Sequence, residues 1–468
     1  MTPQQIVEIA LAAGVPGTTW IAIVEQVTAA HVRWAGNACT AGAIVDERRL
    51  TVVALGADGA SGVASASGAL DVATIRTLAA EADRLRGQRI TVEAPPAPPV
   101  VADDGASWHR PPLASATVDL PGFTARLAES FRLAAAAGHL LYGYAGERTS
   151  ATYLASTAGL RRWYETSSAV LDHTVRTPDG AVTWTGTYAP GLSQLDLDAA
   201  YRAAQRRLTW WRRRVDLPSG EYEVVLPPSC VADLMLHLYR AADARAAMEG
   251  RTVFSAAGGG TRIGERLSSA PLTLHSDPRQ PGLECAPFAV ARGSDALSVY
   301  DNGLPLARTD WIVDGVLSAL ISSRHTAAGT GTAGQTGPAG QTGAAAAPAI
   351  GNLILTGGDG RSLDDLVART RRGLLLTSLW YLREVDPRTL TLTGLTRDGV
   401  YLVEDGEIRG AVNPFRFNAS PLRVLARVCE VGRTEATLPR EHDEHTIRMA
   451  MPALRVADFA LTAVRDAG

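Results

Sequence analysis

The sequence contains no lysine; all 45 of its basic residues are arginine. Arginine stays charged and hydrogen-bonds in planar forks. Alanine, arginine and glycine are abundant everywhere, however, so coding bias accounts for the missing lysine. Positive charge is not in excess either, since the formal net charge is −3. That argues against a nucleic-acid partner. Cysteine is scarce: Cys39, Cys230, Cys285 and Cys429 are scattered, with no CxxC pair. Neither a disulfide framework nor a zinc ribbon is suggested. No uninterrupted apolar run reaches the length of a membrane span. The opening MTPQQIVEIALAAGVPG has Glu8 inside its apolar stretch and no basic start, so it does not read as a signal peptide. The expectation is a soluble, cytoplasmic protein without a membrane partner. With 468 residues, 46% of them hydrophobic and 20% charged, the chain has material for two or three domains and a buried core.

The pattern of the first half predicts helices over 2–14, 73–87, 121–137 and 196–214. Thr2 and Pro3 start the first of these, and Gly87 ends the second. Residues 20–56 alternate well enough for three strands of a meander. Residues 152–189 give further strands, turning at Pro178-Asp179-Gly180. A Pro- and Ala-rich linker covers about 94–112. A boundary falls near 215, where Pro218 and Gly220 break the chain before a strand over 222–226. Ser229 is placed to cap a helix running to about Met248. Beyond it the chain is strand-like and dense in turns, apart from a low-complexity, mobile Gly-rich loop over 326–350 that repeats Gly-Gln-Thr-Gly. The fold class is α+β: an N-terminal α/β domain over 1–215, then a strand-rich C-terminal domain over 216–468.

Five segments of the second half, in order, carry a resemblance. They are PSGEYEVVLPPSCVADLM, RTVFSAAGGGTRIGERLSSAPLTLHSDP, SVYDNGLPLARTDWIVDGVLSALISSRHTAAG, PAIGNLILTGGDGRSLDDLVARTRRGLLL and LTGLTRDGVYLVEDGEIRGAVNPFRFNASPLRVLARVCEVG. Together with STAGLRRWYETS of the first half, they resemble the TldD/PmbA (TldE) family, the so-called modulators of DNA gyrase. The resemblance implies a two-domain α+β protein. It also implies a heterodimer acting as a metallopeptidase on unfolded and leader peptides. In that family the TldD-type subunit holds zinc on an HExxxH helix with a cysteine from near the C-terminus, and the PmbA/TldE-type subunit lacks these ligands.

An HExxxH helix works because two histidines near one face hold Zn²⁺ while the glutamate activates the bound water. The matching helix here, VADLMLHLYRAADARAAMEG, has one histidine, His237, followed by Leu238, with Ala241 and Ala242 a turn further on. His237 flanks an apolar face and reads as a hydrogen-bonded flank residue. Cys429, on an expected strand, reads as a buried structural thiol. The EHDEH stretch at 441–445 places His442 and His445 three apart among acids. A rewired metal site of His237, His442 and His445 is one reading, and a solvated loop is the preferred one. Gly258-Gly259-Gly260 reads as a turn rather than a phosphate cradle, and Asp301-Asn302 as a turn bonding its own backbone. The Arg/Trp stretches HVRW and TWWRRR read as core or interface packing. No catalytic residue and no cofactor is assigned to this chain. Zinc is expected in a TldD-like, HExxxH-bearing partner, and an extended peptide is expected as the substrate. Two other readings remain open: a peptide-binding scaffold without a hydrolytic partner, and a self-sufficient metallopeptidase.

Overall fold

A computed structural model describes residues 1–88, 108, 118–292, 298–329, 346–441 and 447–464. The linker over 94–112, apart from Trp108, lies outside the described residues. So do residues 330–345 of the Gly-rich loop, and both His442 and His445. Among the described residues, no helix is long and apolar enough to cross a membrane.

The first half builds one six-stranded sheet. Its strands are β1 (Thr19–Ala35), β2 (Ala38–Leu55), β3 (Ser61–Ser67), β4 (Leu140–Ser156), β5 (Arg161–Arg176) and β6 (Val182–Ala189). They lie in the order β3-β2-β1-β4-β5-β6, every pair antiparallel. Helices α1 (Pro3–Ala12), α2 (Val72–Gly87), α3 (Leu120–Ala136) and α4 (Leu197–Thr209) accompany it. Thr2 closes a capping box with Gln5 at the start of α1.

Residues 20–56 form two long strands, not three. The only reversal is at Gly36-Asn37, both with positive φ (58° and 66°). The polar run Asp46-Glu47-Arg48-Arg49 does not interrupt the second strand. Its side chains cross-link to β3 instead, where Ser67 donates to Glu47 (3.0 Å) and Arg49 donates to Ser67 (3.2 Å). The expected helix over 196–214 ends earlier, at Thr209. Asp196 caps it through the Ala199 amide, and a 3-10 turn over Trp210–Arg212 follows.

Period-two alternation sorts the faces of β1. Trp20, Ala22 and Val24 pack under α1 and α2 with Ile6, Val7 and Ile75, while Ala30, Val32 and Trp34 pack under α3 and α4 with Phe123, Leu127 and Tyr201. The odd-numbered Ile21 and Ile23 face the other way and meet Phe288 and Val299 of the second half. One face of this sheet thus carries helices, and the opposite face docks on the rest of the molecule.

The second half forms a fourteen-stranded mixed sheet. Its hub is the strand Arg448–Val464, which pairs in parallel with Asn352–Thr356 and antiparallel with Gly220–Leu226, Phe415–Ala419 and Val428–Thr437. Helix α5 (Pro228–Arg240) packs on this hub within a core that includes Leu234, Met235, Met449 and Leu454. The expected single helix to Met248 is two. After Arg240 the chain is pulled into bridge-like bonds with Ile321, which donates to the Ala242 carbonyl and accepts from the Ala244 amide. Asp243 then caps a short α6 (Ala244–Met248). Ser229 is not the cap of α5; Pro227 holds that position, without a side-chain bond.

Candidate functional site

Asp233 and His237 stand one turn apart on α5, which brings them to the same side of the helix. The start of the EHDEH stretch reaches this face. The Glu441 amide donates to Asp233 Oδ1 (3.3 Å), and Asp233 Oδ2 has no hydrogen-bond partner among the described residues. Asp233 is 2% exposed, and burial pushes its carboxyl well above the usual range; the Glu441 amide pulls it back only in part. Glu441 is fixed in turn by the Leu382 amide (3.1 Å to Oε1) and by Arg383 (3.6 Å). Burial lowers the pKa of His237, and the Arg240 and Arg383 cations lower it further. Its ring makes no hydrogen bond to another described residue, unlike the satisfied flank histidine expected.

Asp233 gives a testable outcome. An acid whose folded pKa is raised stabilises fully below its unfolded pKa, near 4, and loses that contribution as pH rises. Asp233→Asn keeps the acceptor for the Glu441 amide and removes the buried charge. The variant is expected to melt a few degrees above the parent at pH 8 and level with it near pH 4. Melting curves at the two pH values check this, and an equal gain at both would disprove the charge argument.

The residue before the stretch, Arg440, ties the two halves together. It pairs with Asp172 of β5 (2.9 Å) and packs over the rings of Trp184 (4.8 Å) and Trp380 (5.6 Å). The Trp184 indole N–H donates to the same Asp172 (3.0 Å).

The structure brings His237 and Glu441 to one face of α5 and places the other motifs elsewhere. Cys429 is exposed, not buried. Its neighbours Val428 and Val431 take the core-facing positions of that strand, and the thiol points outward. Leu238 is in the core and Ala242 is buried. Among the described residues, no group of three or more His, Cys, Asp or Glu is placed to hold a metal ion. Gly258–Gly260 form a turn with positive φ at Gly259 and Gly260, and the nearby Arg262 is taken by Glu265. Asp301 does more than cap a turn. It is fully buried and accepts from both the amide and the guanidinium of Arg324 (3.2 Å each), while Asn302 holds the backbone of Ala291. The tryptophans of TWWRRR pack as expected, with Trp210 edge-on to Tyr401 (4.9 Å) and the Trp211 N–H donating to the Tyr401 hydroxyl (3.1 Å).

Sequence reasoning missed a cleft of about 400 Å³. It lies between β6 (Trp184 to Tyr188), α4 with Arg207, the start of α5, and the strand residues Glu435 to Thr437. One signal was available: Arg207 borders the buried α4 stripe of Leu197, Tyr201, Ala204 and Leu208, whereas a solvated arginine would lie opposite it.

Comparison with known proteins decides the family. The family model described as the PmbA/TldA metallopeptidase C-terminal domain matches residues 219–463, just over half of the chain. The chain belongs to the PmbA/TldD family. Its PmbA/TldD segment begins just before the strand Gly220–Leu226 and ends inside the hub strand. A protein of Methanothermobacter thermautotrophicus named as a metalloprotease is 24% identical over 306 residues, which is 62% of this chain and 61% of that relative. The chain thus spans less than two thirds of that relative's length. Two solved structures share the fold. TldE from Thermococcus kodakarensis superposes with a TM-score of 0.75 at 16% identity, over 98% of this chain and 99% of that one. A Thermotoga maritima protein described as a candidate modulator of a DNA gyrase superposes at 0.76, also at 16% identity, over 98% and 100%.

Proposed function

We propose that this chain is the non-catalytic, TldE/PmbA-like subunit of a heterodimeric zinc metallopeptidase complex of the cytoplasm. In this reading it helps form the channel for unfolded or leader peptides, while zinc sits in an HExxxH-bearing partner. The observation that carries the reading is the content of α5. Where the family's catalytic helix needs a histidine pair and a glutamate, this helix has His237 alone, with core-forming Leu238 next and Ala241 and Ala242 a turn later. Zinc needs at least three protein ligands to stay bound while it activates water. Asp233, the acid nearest His237 on the helix, is buried and already holds the Glu441 amide.

The test is reconstitution. The purified chain alone is expected to carry no stoichiometric zinc and to leave an unstructured fluorogenic peptide uncut. Mixed with a TldD-like HExxxH chain, it is expected to raise the partner's cleavage rate about 100-fold or more, with the activity lost on chelation. A second reading, a self-sufficient metallopeptidase, draws support from Glu441 beside Asp233, which brings the start of EHDEH to the His237 face. Zinc-dependent cleavage by the chain alone, lost in His442→Ala, would replace the first reading by the second.

A further inference from the structure

The cleft beside β6 has two properties that its lining residues do not use up. The first is an open strand edge. Among the described residues β6 pairs with β5 alone and turns its other edge outward, whereas the outer edge of the strand Val428–Thr437 is partly taken, the Arg433 amide donating to the Arg361 carbonyl (2.7 Å). Arg207 Nη1 donates to the Trp184 carbonyl (2.7 Å), which fixes that carbonyl on the side away from β5. In an antiparallel pair both main-chain groups of a residue point to the same side, and the side alternates along the strand. Gly186 and Tyr188 therefore also turn their N–H and C=O groups outward, and both line the cleft. No hydrogen bond from another described residue's backbone reaches these groups, and the Tyr188 carbonyl accepts only a long bond from the Thr187 hydroxyl (3.5 Å) among the described residues.

The second property is a half-buried cation without an anion. Three charged side chains line the cleft: Asp196, Glu435 and Arg207. Asp196 is used as the cap of α4, accepting from the Ala199 amide (2.8 Å), and Glu435 is paired with Arg433. Among the described residues, Arg207 has no carboxylate within ion-pairing distance, and its hydrogen bond goes to the neutral Trp184 carbonyl. A guanidinium offers five N–H donors in a fork that matches a carboxylate. Holding it half-buried and unpaired is unfavourable unless an anion comes to it.

From these two properties we infer that the cleft binds the C-terminal end of an extended peptide, whose main chain adds to the edge at Gly186 and Tyr188 and whose terminal carboxylate is held by Arg207. The inference rests on the peptide-channel reading above and gives it a polarity. Strand addition supplies affinity without demanding particular side chains. The carboxylate supplies the register, because only the last residue of a chain presents it. The ligand class is unstructured polypeptide with a free C-terminus.

The probe is a fluorescein-labelled octapeptide of Gly, Ser, Ala and Val, made once as the C-terminal acid and once as the amide. Fluorescence anisotropy with the purified full chain measures both affinities. The acid is expected to bind about tenfold or more tighter than the amide. That gap is expected to close in Arg207→Gln, and N-methylation of alternate peptide nitrogens is expected to weaken the acid form. Should Arg207→Gln fail to fold, Arg207→Lys keeps the charge and loses the fork, and the gap should narrow. Equal affinity for acid and amide in the parent, an unchanged gap in Arg207→Gln, or no binding of either peptide would each overturn the inference. The reconstitution experiment is independent of all these outcomes. If the mixture cleaves peptide while acid and amide bind alike, the carboxylate site fails and the subunit reading stands. If acid binding depends on Arg207 but no partner restores cleavage, the site stands and the subunit reading falls.

Discussion

Trp184→Ala is expected to destabilise the folded chain by about 3–5 kcal/mol. The ring is 2% exposed and lies between the two halves, with Arg440 over its face and Asp172 bonded to its nitrogen. It rests on Gly186, where a Cβ would stand only 2.4 Å from the ring, so the glycine exists to make room for it. Truncation removes the wall of the Asp172–Arg440 pair and leaves a void that the paired strand cannot collapse to fill. It also removes one side of the cleft, so binding of the octapeptide acid should weaken with stability. The urea midpoint measures the first effect, and a loss under about 1 kcal/mol would show that the junction repacks freely.

Acidification is expected to remove a further block of stability through one residue. His173 is 1% exposed beneath α4, near Trp34 and Tyr201, and neither ring nitrogen has a partner among the described residues. Burial pushes its pKa down to about 4. The folded chain therefore keeps His173 neutral while the unfolded chain takes up a proton below its ordinary pKa, about 6.5. Stability is full above that value and is lost as pH falls through 6.5 towards 4. The loss approaches about 3 kcal/mol, at about 1.4 kcal/mol per pH unit. His173→Leu conserves the volume and has no proton to bind, so the difference in stability between variant and parent should grow steadily from pH 7 to 4. Parallel pH profiles of the two proteins would refute the assignment.

Much of the framework was legible because it rests on local chemistry. The helix start at Thr2 and Pro3, the turn at Gly180 and the strand before Pro227 each depend on a few neighbouring residues. The failures have other causes, among them tertiary bonds that overrode a local signal. A helix expected to reach Met248 is broken by Ile321, some eighty residues away. Cys429 looks buried by composition, but its position in the alternation turns it outward. At the candidate site, the single histidine of α5 was readable, whereas the latch of Glu441 on Asp233 joins residues two hundred positions apart. The cleft was the least legible feature, because it needs a strand edge, a helix flank and a second sheet to meet.

The hub strand sets an order of events during synthesis. Its four partners are all made before it, the earliest more than two hundred residues before. Until it emerges, Gly220–Leu226, Asn352–Thr356, Phe415–Ala419 and Val428–Thr437 each have an edge with nothing to pair to. The six-stranded sheet has no such dependence, since all of its strands are complete by Ala189. The nascent chain therefore closes its first sheet early and carries a set of waiting edges until the last strand arrives. Such edges invite foreign strands, and this closure over long sequence separations makes the second half the slow step of folding.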